Sequence, residues 1–223
     1  MAAGKLIVLE GIDGSGKSTQ FKRLCARLEA ENEPFHKIIF PRYAEPSSAL
    51  LKMYLNGEFG KNPQDVNAYA ASTFYGVDRF ASFRMDWGEY YKNGGLILSD
   101  RYTTSNAVHQ GAKVPEAELG AFLDWLYDFE FRILELPRPG LVLYMDIDLE
   151  IAERQMRARE SATHTAADIH EADLDYLRRC LRAGAAAAER FGWRRVPCVE
   201  NGAMRPVEDI HEDVFRAVQT MLG

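Results

Sequence analysis

The stretch Gly11–Thr19, with the sequence GIDGSGKST, decides the fold of this chain. It matches the pattern G-x-x-x-x-G-K-[ST], which is typical of a phosphate-binding P-loop. The residues before it, Lys5–Leu9 (KLIVL), are mainly apolar and predict a buried strand. Apolar side chains then recur at helical spacing and predict an amphipathic helix after the loop. They are Phe21, Leu24, Cys25 and Leu28.

A strand, a glycine-rich loop and a helix N-terminus together form an anion site. Gly14 and Gly16 let the backbone approach a phosphate closely, and the helix end directs unpaired N–H groups at it. Lys17 is expected to reach the β- and γ-phosphates, and the Ser18 hydroxyl to bind Mg²⁺. The stretch therefore predicts a nucleoside triphosphate site. The predicted ATP contacts in the loop are Gly11, Ile12, Asp13, Gly14, Ser15, Gly16, Lys17, Ser18 and Thr19.

The bulk composition is that of an ordinary globular protein. The chain has 223 residues, of which 47% are hydrophobic and 27% charged, and this predicts one domain over residues 1–223. A net charge of −6 argues against nucleic acid or an anionic membrane as a partner. Three widely spaced cysteines, no stretch of membrane-spanning length and no room for a signal peptide predict a cytoplasmic protein with free thiols.

Four further strands are predicted along the chain, with helices between them. They cover His36–Phe40, Leu96–Leu98, Leu141–Met145 and Val196–Val199. Pro197 inside the last strand favours a position at the sheet edge. Alternating strands and helices indicate a parallel sheet covered on both faces. The expected fold is a P-loop NTPase-type three-layer α/β/α architecture with a central five-stranded parallel sheet.

Two longer segments complete the predicted fold. Residues from about Asp65 to Tyr91 predict a long helix, broken by Asn93 and the glycines that follow it. Ser161–His170 is small, polar and poorly patterned, which is typical of a mobile flap. We therefore expect a short lid over approximately residues 154–171.

Charged residues follow two of the predicted strands, where the carboxyl ends of a parallel sheet open into a ligand crevice. Arg42 follows the second strand, and Asp100 and Arg101 end the third. An aspartate there usually holds Mg²⁺ in a P-loop protein, although it can instead cap the next turn. Tyr75 and Arg79 lie four residues apart and share a helix face, with a core tyrosine and a solvated arginine as the alternative.

The arginines predict a second anion beside the P-loop, namely the phosphate acceptor. A guanidinium group binds phosphate oxygens bidentately, whereas the alternative is that Arg42, Arg79 and Arg101 are ordinary surface residues. A phosphate acceptor is largely dianionic at neutral pH, so its reaction needs orientation and charge neutralisation rather than a general base. Because Arg42 rather than a carboxylate follows the second strand, the sequence favours a nucleoside monophosphate over a nucleoside.

Taken together, the motifs resemble the thymidylate (dTMP) kinase family over nearly the whole chain. They are LEGIDGSGKST, FPRY, Tyr75 four residues before Arg79, SDRYTTSNAVHQG and LYMDIDLE. The resemblance implies transfer of the γ-phosphoryl group of ATP to dTMP, giving dTDP and ADP, with Mg²⁺ as cofactor. It also implies a homodimer.

The resemblance implies a role for each residue of the acceptor site. Asp13 would approach the dTMP 3′-hydroxyl, Tyr75 would stack on thymine, Arg79 would hydrogen-bond the base, and Asn106 would read its N3 edge. Arg42 and Arg101 would bind the acceptor phosphate, and Arg101 could bridge both phosphates in the transition state. The remaining predicted substrate contacts are Ser105 and His109.

Three positions depart from the family pattern, one of which is Ile169 in the predicted lid, where many members carry an arginine. Gly14 stands where some members carry an arginine, so the lid should supply that cation, with Arg157 or Arg159 as candidates. His109 stands where a bacterial member typically has tyrosine near the sugar, so discrimination against ribonucleotides can differ. The predicted catalytic residues are Lys17, Arg101 and Asp13.

The sequence also leaves other functions open. One is a kinase of the same fold for another deoxynucleotide or for a deoxynucleoside. Another is a P-loop NTPase that switches conformation without a small acceptor.

Overall fold

The apolar stretch before the P-loop forms the middle of a parallel sheet in the computed structural model, which describes residues 4–163 and 174–223. The sheet has five strands in the order β2-β3-β1-β4-β5. They are β1 (Lys5–Glu10), β2 (Phe35–Ile39), β3 (Leu96–Asp100), β4 (Leu141–Asp146) and β5 (Arg194–Pro197). The predicted five-stranded parallel sheet is confirmed, and Pro197 lies on an edge strand as expected.

The strand register places the two predicted phosphate-site segments side by side. Leu9 of β1 is paired with Asp100 of β3 and with Leu143 of β4. The side chains of Ile7, Val8 and Leu9 are completely buried, so burial of this central strand fixes the register. The P-loop and the end of β3 therefore open at the same edge of the sheet.

Helices flank the sheet in two groups. Their bounds are α1 (Lys17–Ala30), α2 (Ala49–Leu55), α3 (Ala68–Ser82), α4 (Gly88–Lys92), α5 (Thr103–His109), α6 (Glu116–Tyr127), α7 (Leu149–Thr163), α8 (Leu174–Phe191) and α9 (Val207–Leu222). α1 packs on α9, whereas α5 packs on α6 and α8. This arrangement confirms the predicted three-layer α/β/α fold.

Two predicted elements differ in detail from the structure. The long helix is divided, because a π-helical segment (Phe83–Trp87) separates α3 from α4. The last strand ends at Pro197, and the chain then forms a short antiparallel hairpin of β6 (Val199–Glu200) and β7 (Ala203–Met204). Neither feature could be predicted from periodicity. In both, the backbone hydrogen-bonding pattern changes over only a few residues, which is too short for a periodic signal.

The first part of the predicted lid is regular helix. Residues 154–163 continue α7, so the flap does not begin at Ser161 as the composition suggested. The rest of the predicted lid, residues 164–171, lies outside the described residues.

The sequence predicted free thiols at all three cysteines. Cys25, Cys180 and Cys198 are free and buried. Within residues 4–163 and 174–223, no helix combines the length and apolarity needed to cross a membrane.

Candidate active site

The P-loop forms a cavity of about 280 Å³ at the N-terminus of α1. Gly14 and Gly16 have φ angles of +81° and +83°, a left-handed conformation that favours glycine. Gly16 caps α1, and no side chain caps the helix, so its first N–H groups are available to an anion. The described lining residues are Ile12, Asp13, Gly14, Ser15, Gly16, Lys17, Ser18, Thr19 and Gln155. The cavity therefore contains every predicted loop contact except Gly11.

Gly14 also lies against helix α7, which explains the departure from the family pattern. A Cβ atom at this position would come within 2.4 Å of the Ala152 carbonyl oxygen. An arginine here would meet both this contact and an unfavourable φ angle. The packing of α7 on the P-loop is thus compatible only with glycine at position 14.

Among the described side chains of α7, Gln155 lines the P-loop cavity and Arg157 does not. The side chain of Arg157 is 75% exposed and pairs with Glu153 one helical turn earlier. The side chain of Arg159 lies outside the described residues. The assignment of a lid cation to ATP accordingly stays a prediction.

Lys17 forms a buried ion pair with Asp100 at the floor of the site. Burial lowers the pKa of Lys17, and the neighbouring Arg101 lowers it further, whereas Asp100 acts in the opposite direction. The structure thus brings together the predicted phosphate-binding lysine and the predicted Mg²⁺ carboxylate. Within the described segments, no group of three or more His, Cys, Asp or Glu side chains is arranged to hold a metal ion.

A second cavity of about 290 Å³ lies beside the first. It brings together seven of the eight predicted acceptor residues, which are Asp13, Tyr75, Arg79, Arg101, Ser105, Asn106 and His109. Its other described lining residues are Phe40, Pro41, Tyr43, Leu55, Tyr102, Gln110 and Tyr176. The lining combines aromatic faces, hydrogen-bonding groups and cations, as a site for an anionic nucleotide requires.

Arg101 is the centre of the charged end of this cavity. Its Nη2 donates to Asp13 at 3.0 Å, and its Nη1 donates to Ser105 at 3.4 Å. Burial by itself would lower the pKa of Arg101, but the negative charges of Asp13, Glu10 and Asp100 have a larger combined effect and raise it. The guanidinium group is therefore permanently charged.

Glu10 is a buried carboxylate that the sequence analysis did not select. Its Oε1 accepts from the Gly11 N–H at 2.9 Å, and its Oε2 accepts from the hydroxyls of Thr104 at 2.7 Å and Ser105 at 2.6 Å. It also lies 3.8 Å from Arg101 Nη1. Glu10 thus joins the start of the P-loop to α5. A charged residue that ends an apolar strand was the available signal, the same one that identified Asp100.

His109 contacts Arg101 from the other side. Its Nε2 lies 3.0 Å from Arg101 Nη1, and because a guanidinium group only donates, Nε2 must be the acceptor. We infer the tautomer with its proton on Nδ1. Tyr176 of α8, which the sequence analysis missed, donates to the His109 carbonyl at 3.2 Å.

Arg79 is held at the inner end of the cavity by another unpredicted carboxylate. Arg79 is 1% exposed and Glu130 is 0% exposed, and the two form a bidentate ion pair. The alternative of a solvated arginine is therefore wrong. Glu130 stands between two phenylalanines, Phe129 and Phe131, and that contrast was its only sequence signal.

Tyr75 and Asn106 also line the inner part of the cavity. Burial raises the pKa of the Tyr75 phenol, so its ring is neutral. Asn106 donates from Nδ2 to the Ser72 carbonyl at 3.2 Å, which orients the amide. A buried acceptor, Gln110 Oε1, has no hydrogen-bond partner among the described residues.

Arg42 is the one predicted acceptor residue that does not line the described cavity. It follows Pro41, which does, and Asp78 holds its loop. Asp78 accepts from the Arg42 N–H at 2.9 Å and from Ser47 Oγ at 2.6 Å, while Arg42 Nε lies 3.6 Å from it. Asp78 was not predicted from the sequence, although it directly precedes Arg79.

The sequence is similar to those of known proteins over most of its length. The family model described as "Thymidylate kinase" matches residues 9–214. A thymidylate kinase from Mycobacterium tuberculosis is 30% identical over 84% of this chain and 87% of its own. One from Pelotomaculum thermopropionicum is 28% identical over 98% of this chain and 94% of its own.

A solved structure supports the fold independently. Thymidylate kinase from Candida albicans superposes with a TM-score of 0.72 at 22% identity, covering 99% of this chain and 93% of its own. Residues 9–214, which the family model matches, include the P-loop and the described lining residues of both cavities. The chain therefore belongs to the thymidylate kinase family.

Proposed function

We propose that this chain transfers the γ-phosphoryl group of ATP to dTMP, giving dTDP and ADP. The observation that carries the proposal is that Asp13 lines both cavities and is hydrogen-bonded to Arg101. A donor in the P-loop cavity and an acceptor in the second one would thus meet at a shared wall beside a permanent cation. The dianionic acceptor phosphate needs no general base.

In the donor cavity, the P-loop N–H groups and Lys17 would bind the ATP phosphates. Next to this cavity, three carboxylates (Glu10, Asp13 and Asp100) are paired with two cations (Lys17 and Arg101) among the described side chains. This balance favours a divalent cation with the nucleotide. The Ser18 hydroxyl and the Asp100 carboxylate supply the oxygen ligands that Mg²⁺ prefers. An Mg²⁺ ion held by these two side chains would supply neutralising charge for the transferring phosphoryl group.

In the acceptor cavity, each wall suits one part of dTMP. Tyr75 would stack on thymine, while Arg79 and Asn106 would bind its polar edge. Asp13 would meet the 3′-hydroxyl. Ser105 and His109 would lie near the sugar and phosphate. Arg42 and Arg101 would bind the acceptor phosphate, and Arg157 or Arg159 would complete the ATP site from the lid.

A homodimer in the cytoplasm completes the proposal. Val77 and Phe80 lie three residues apart on α3 and are 47% and 40% exposed. Their exposed apolar surface suits a contact with a second copy. The three free, buried cysteines fit a reducing compartment.

The direct test is a coupled assay of ADP formation with ATP, Mg²⁺ and a panel of acceptors. We expect dTMP to give the highest kcat/KM. Its phosphate would be bound by Arg42 and Arg101, and its base would fill the inner cavity. dUMP, dGMP and thymidine are run in parallel. A preference for thymidine would favour the nucleoside kinase, and ADP formation without any diphosphate product would favour an NTPase switch.

Replacing Arg42 by alanine should weaken the binding of dTMP without weakening the binding of ATP. We expect the KM for dTMP to rise about tenfold or more, since a charge-assisted hydrogen bond to phosphate is lost, and the KM for ATP to stay within about twofold. Asp78 keeps the backbone N–H of residue 42 and the Ser47 hydroxyl as partners, so the loop should persist. A defect confined to ATP would contradict the acceptor role.

A further inference from the structure

Glu130 uses both of its oxygens on two buried partners. Its Oε2 accepts from Arg79 Nε at 2.7 Å and from Thr103 Oγ1 at 2.6 Å, and its Oε1 accepts from Arg79 Nη2. Neither Arg79 nor Glu130 is more than 1% exposed. The carboxylate is therefore out of reach of solvent, and its position is fixed by three hydrogen bonds.

These contacts also fix what Arg79 can offer to a ligand. A guanidinium group has five N–H donors in one plane. Glu130 takes one on Nε and one on Nη2, and the Tyr102 carbonyl lies 3.4 Å from Nη1. One N–H on each terminal nitrogen remains, and Arg79 lines the acceptor cavity. The cavity wall thus presents at most two donors in set directions.

The two arginines in the cavity lining differ in how easily a ligand could replace their partners. The side chain of Arg101 is 20% exposed and that of its partner Asp13 is 33% exposed, so a phosphate can compete for it at modest cost. The Arg79–Glu130 ion pair, in contrast, is bidentate and buried from solvent. An anion that took over the charge of Arg79 would have to replace Glu130 in the interior, which is strongly unfavourable, whereas a neutral carbonyl needs only one of the two remaining N–H groups.

We propose that Glu130 is a positioning residue that sets the selectivity of the inner cavity. It cancels the charge of Arg79 and aims its two remaining N–H groups, so that this end of the cavity accepts the carbonyl edge of a neutral base rather than an anion. The inference rests on the proposed function, because it takes dTMP as the ligand.

The test is a double-mutant cycle of Glu130→Gln and Arg79→Lys in the full-length enzyme. The glutamine amide keeps the size of the side chain, but its NH₂ cannot accept from the guanidinium group, so Arg79 loses its fixed orientation. We expect Glu130→Gln to raise the KM for dTMP about tenfold, with kcat and the KM for ATP within about twofold. In the Arg79→Lys background the same change should add less than about twofold, because coupled residues are non-additive.

A matched control is Glu116→Gln, which breaks the exposed ion pair with Arg182 and should leave all three constants unchanged. If Glu130→Gln does not fold, Thr103→Val removes only the hydroxyl contact, and it should raise the KM for dTMP about threefold. An unchanged KM in the folded variants, or additive effects in the cycle, would overturn the inference.

The wild-type panel separates this inference from the proposed function. If the wild-type enzyme prefers another monophosphate, the dTMP assignment is wrong, and the same cycle on that substrate decides the role of Glu130. If it phosphorylates no monophosphate, both proposals are overturned.

Discussion

Lys17→Met is expected to lower kcat on the order of 10³-fold, because phosphoryl transfer depends on preorganised charge rather than on covalent chemistry. Methionine preserves much of the buried aliphatic length of Lys17, which is 5% exposed, and removes only its charge. The KM for dTMP should change little, since Lys17 lines the donor cavity and not the acceptor cavity. Steady-state kinetics with both substrates varied measures the two effects separately.

Stability must be distinguished from catalysis in this variant, since Lys17 is the ion-pair partner of Asp100. Leaving that carboxylate unpaired can cost about 3 kcal/mol of folding free energy. The double variant Lys17→Met with Asp100→Asn removes both charges and should recover the melting temperature but not kcat. Lys22→Met changes an exposed lysine on the same helix and should leave kcat unchanged. Near-normal turnover in the folded Lys17→Met variant would contradict the proposed role of the P-loop in phosphoryl transfer.

The parts of this protein that could be predicted from sequence are those encoded locally. The P-loop and its flanking strand and helix are contiguous, so composition and periodicity were sufficient to predict them. Tyr75 and Arg79 share a helix face because of their spacing, and both reach one cavity. Asp100 was identified because it ends an apolar strand.

The unpredicted residues act across the fold. Glu10 accepts from Thr104, Asp78 from the Arg42 backbone, and Glu130 from Arg79. In a sequence, an acidic residue most often indicates a solvated surface, and its burial becomes visible only when distant segments meet. Each of these carboxylates orients a predicted site residue or its loop. The sequence therefore predicted the side chains that face the ligand, but not the buried carboxylates that orient them.

The packing of α7 shows the same limit at one position. From the sequence, Gly14 was a phosphate-binding glycine and a departure from the family pattern, with no indication of what it packs against. In the fold it is required by the Ala152 carbonyl, and the same packing brings Gln155 to the donor cavity. Neither contact has a local signal, since residues 14 and 152 are joined only through the order of strands in the sheet.

Arg101→Ala should lower kcat on the order of 10³-fold, comparable to the loss of an arginine that stabilises a transferring phosphoryl group. Arg101 lies against Asp13, the residue common to both cavities, so its charge is placed where phosphoryl transfer would occur. Its φ of +66° is equally unfavourable for alanine and arginine, which both carry a Cβ atom, so the change does not add backbone strain. Kinetics with saturating ATP and dTMP measure kcat directly.

Arg101→Lys tests whether charge alone suffices. Lysine keeps the charge but cannot form the planar fork that reaches Asp13, Ser105 and a phosphate at once, so its kcat should fall between those of alanine and wild type. Arg132→Ala changes an exposed arginine paired with Asp128 and should have no effect. If Arg101→Ala raised only the KM for dTMP, Arg101 would bind the ground state and transition state equally. Arg42 and Arg101 would then have the same role, and stabilisation of the transferring group would fall to Lys17 and the metal ion.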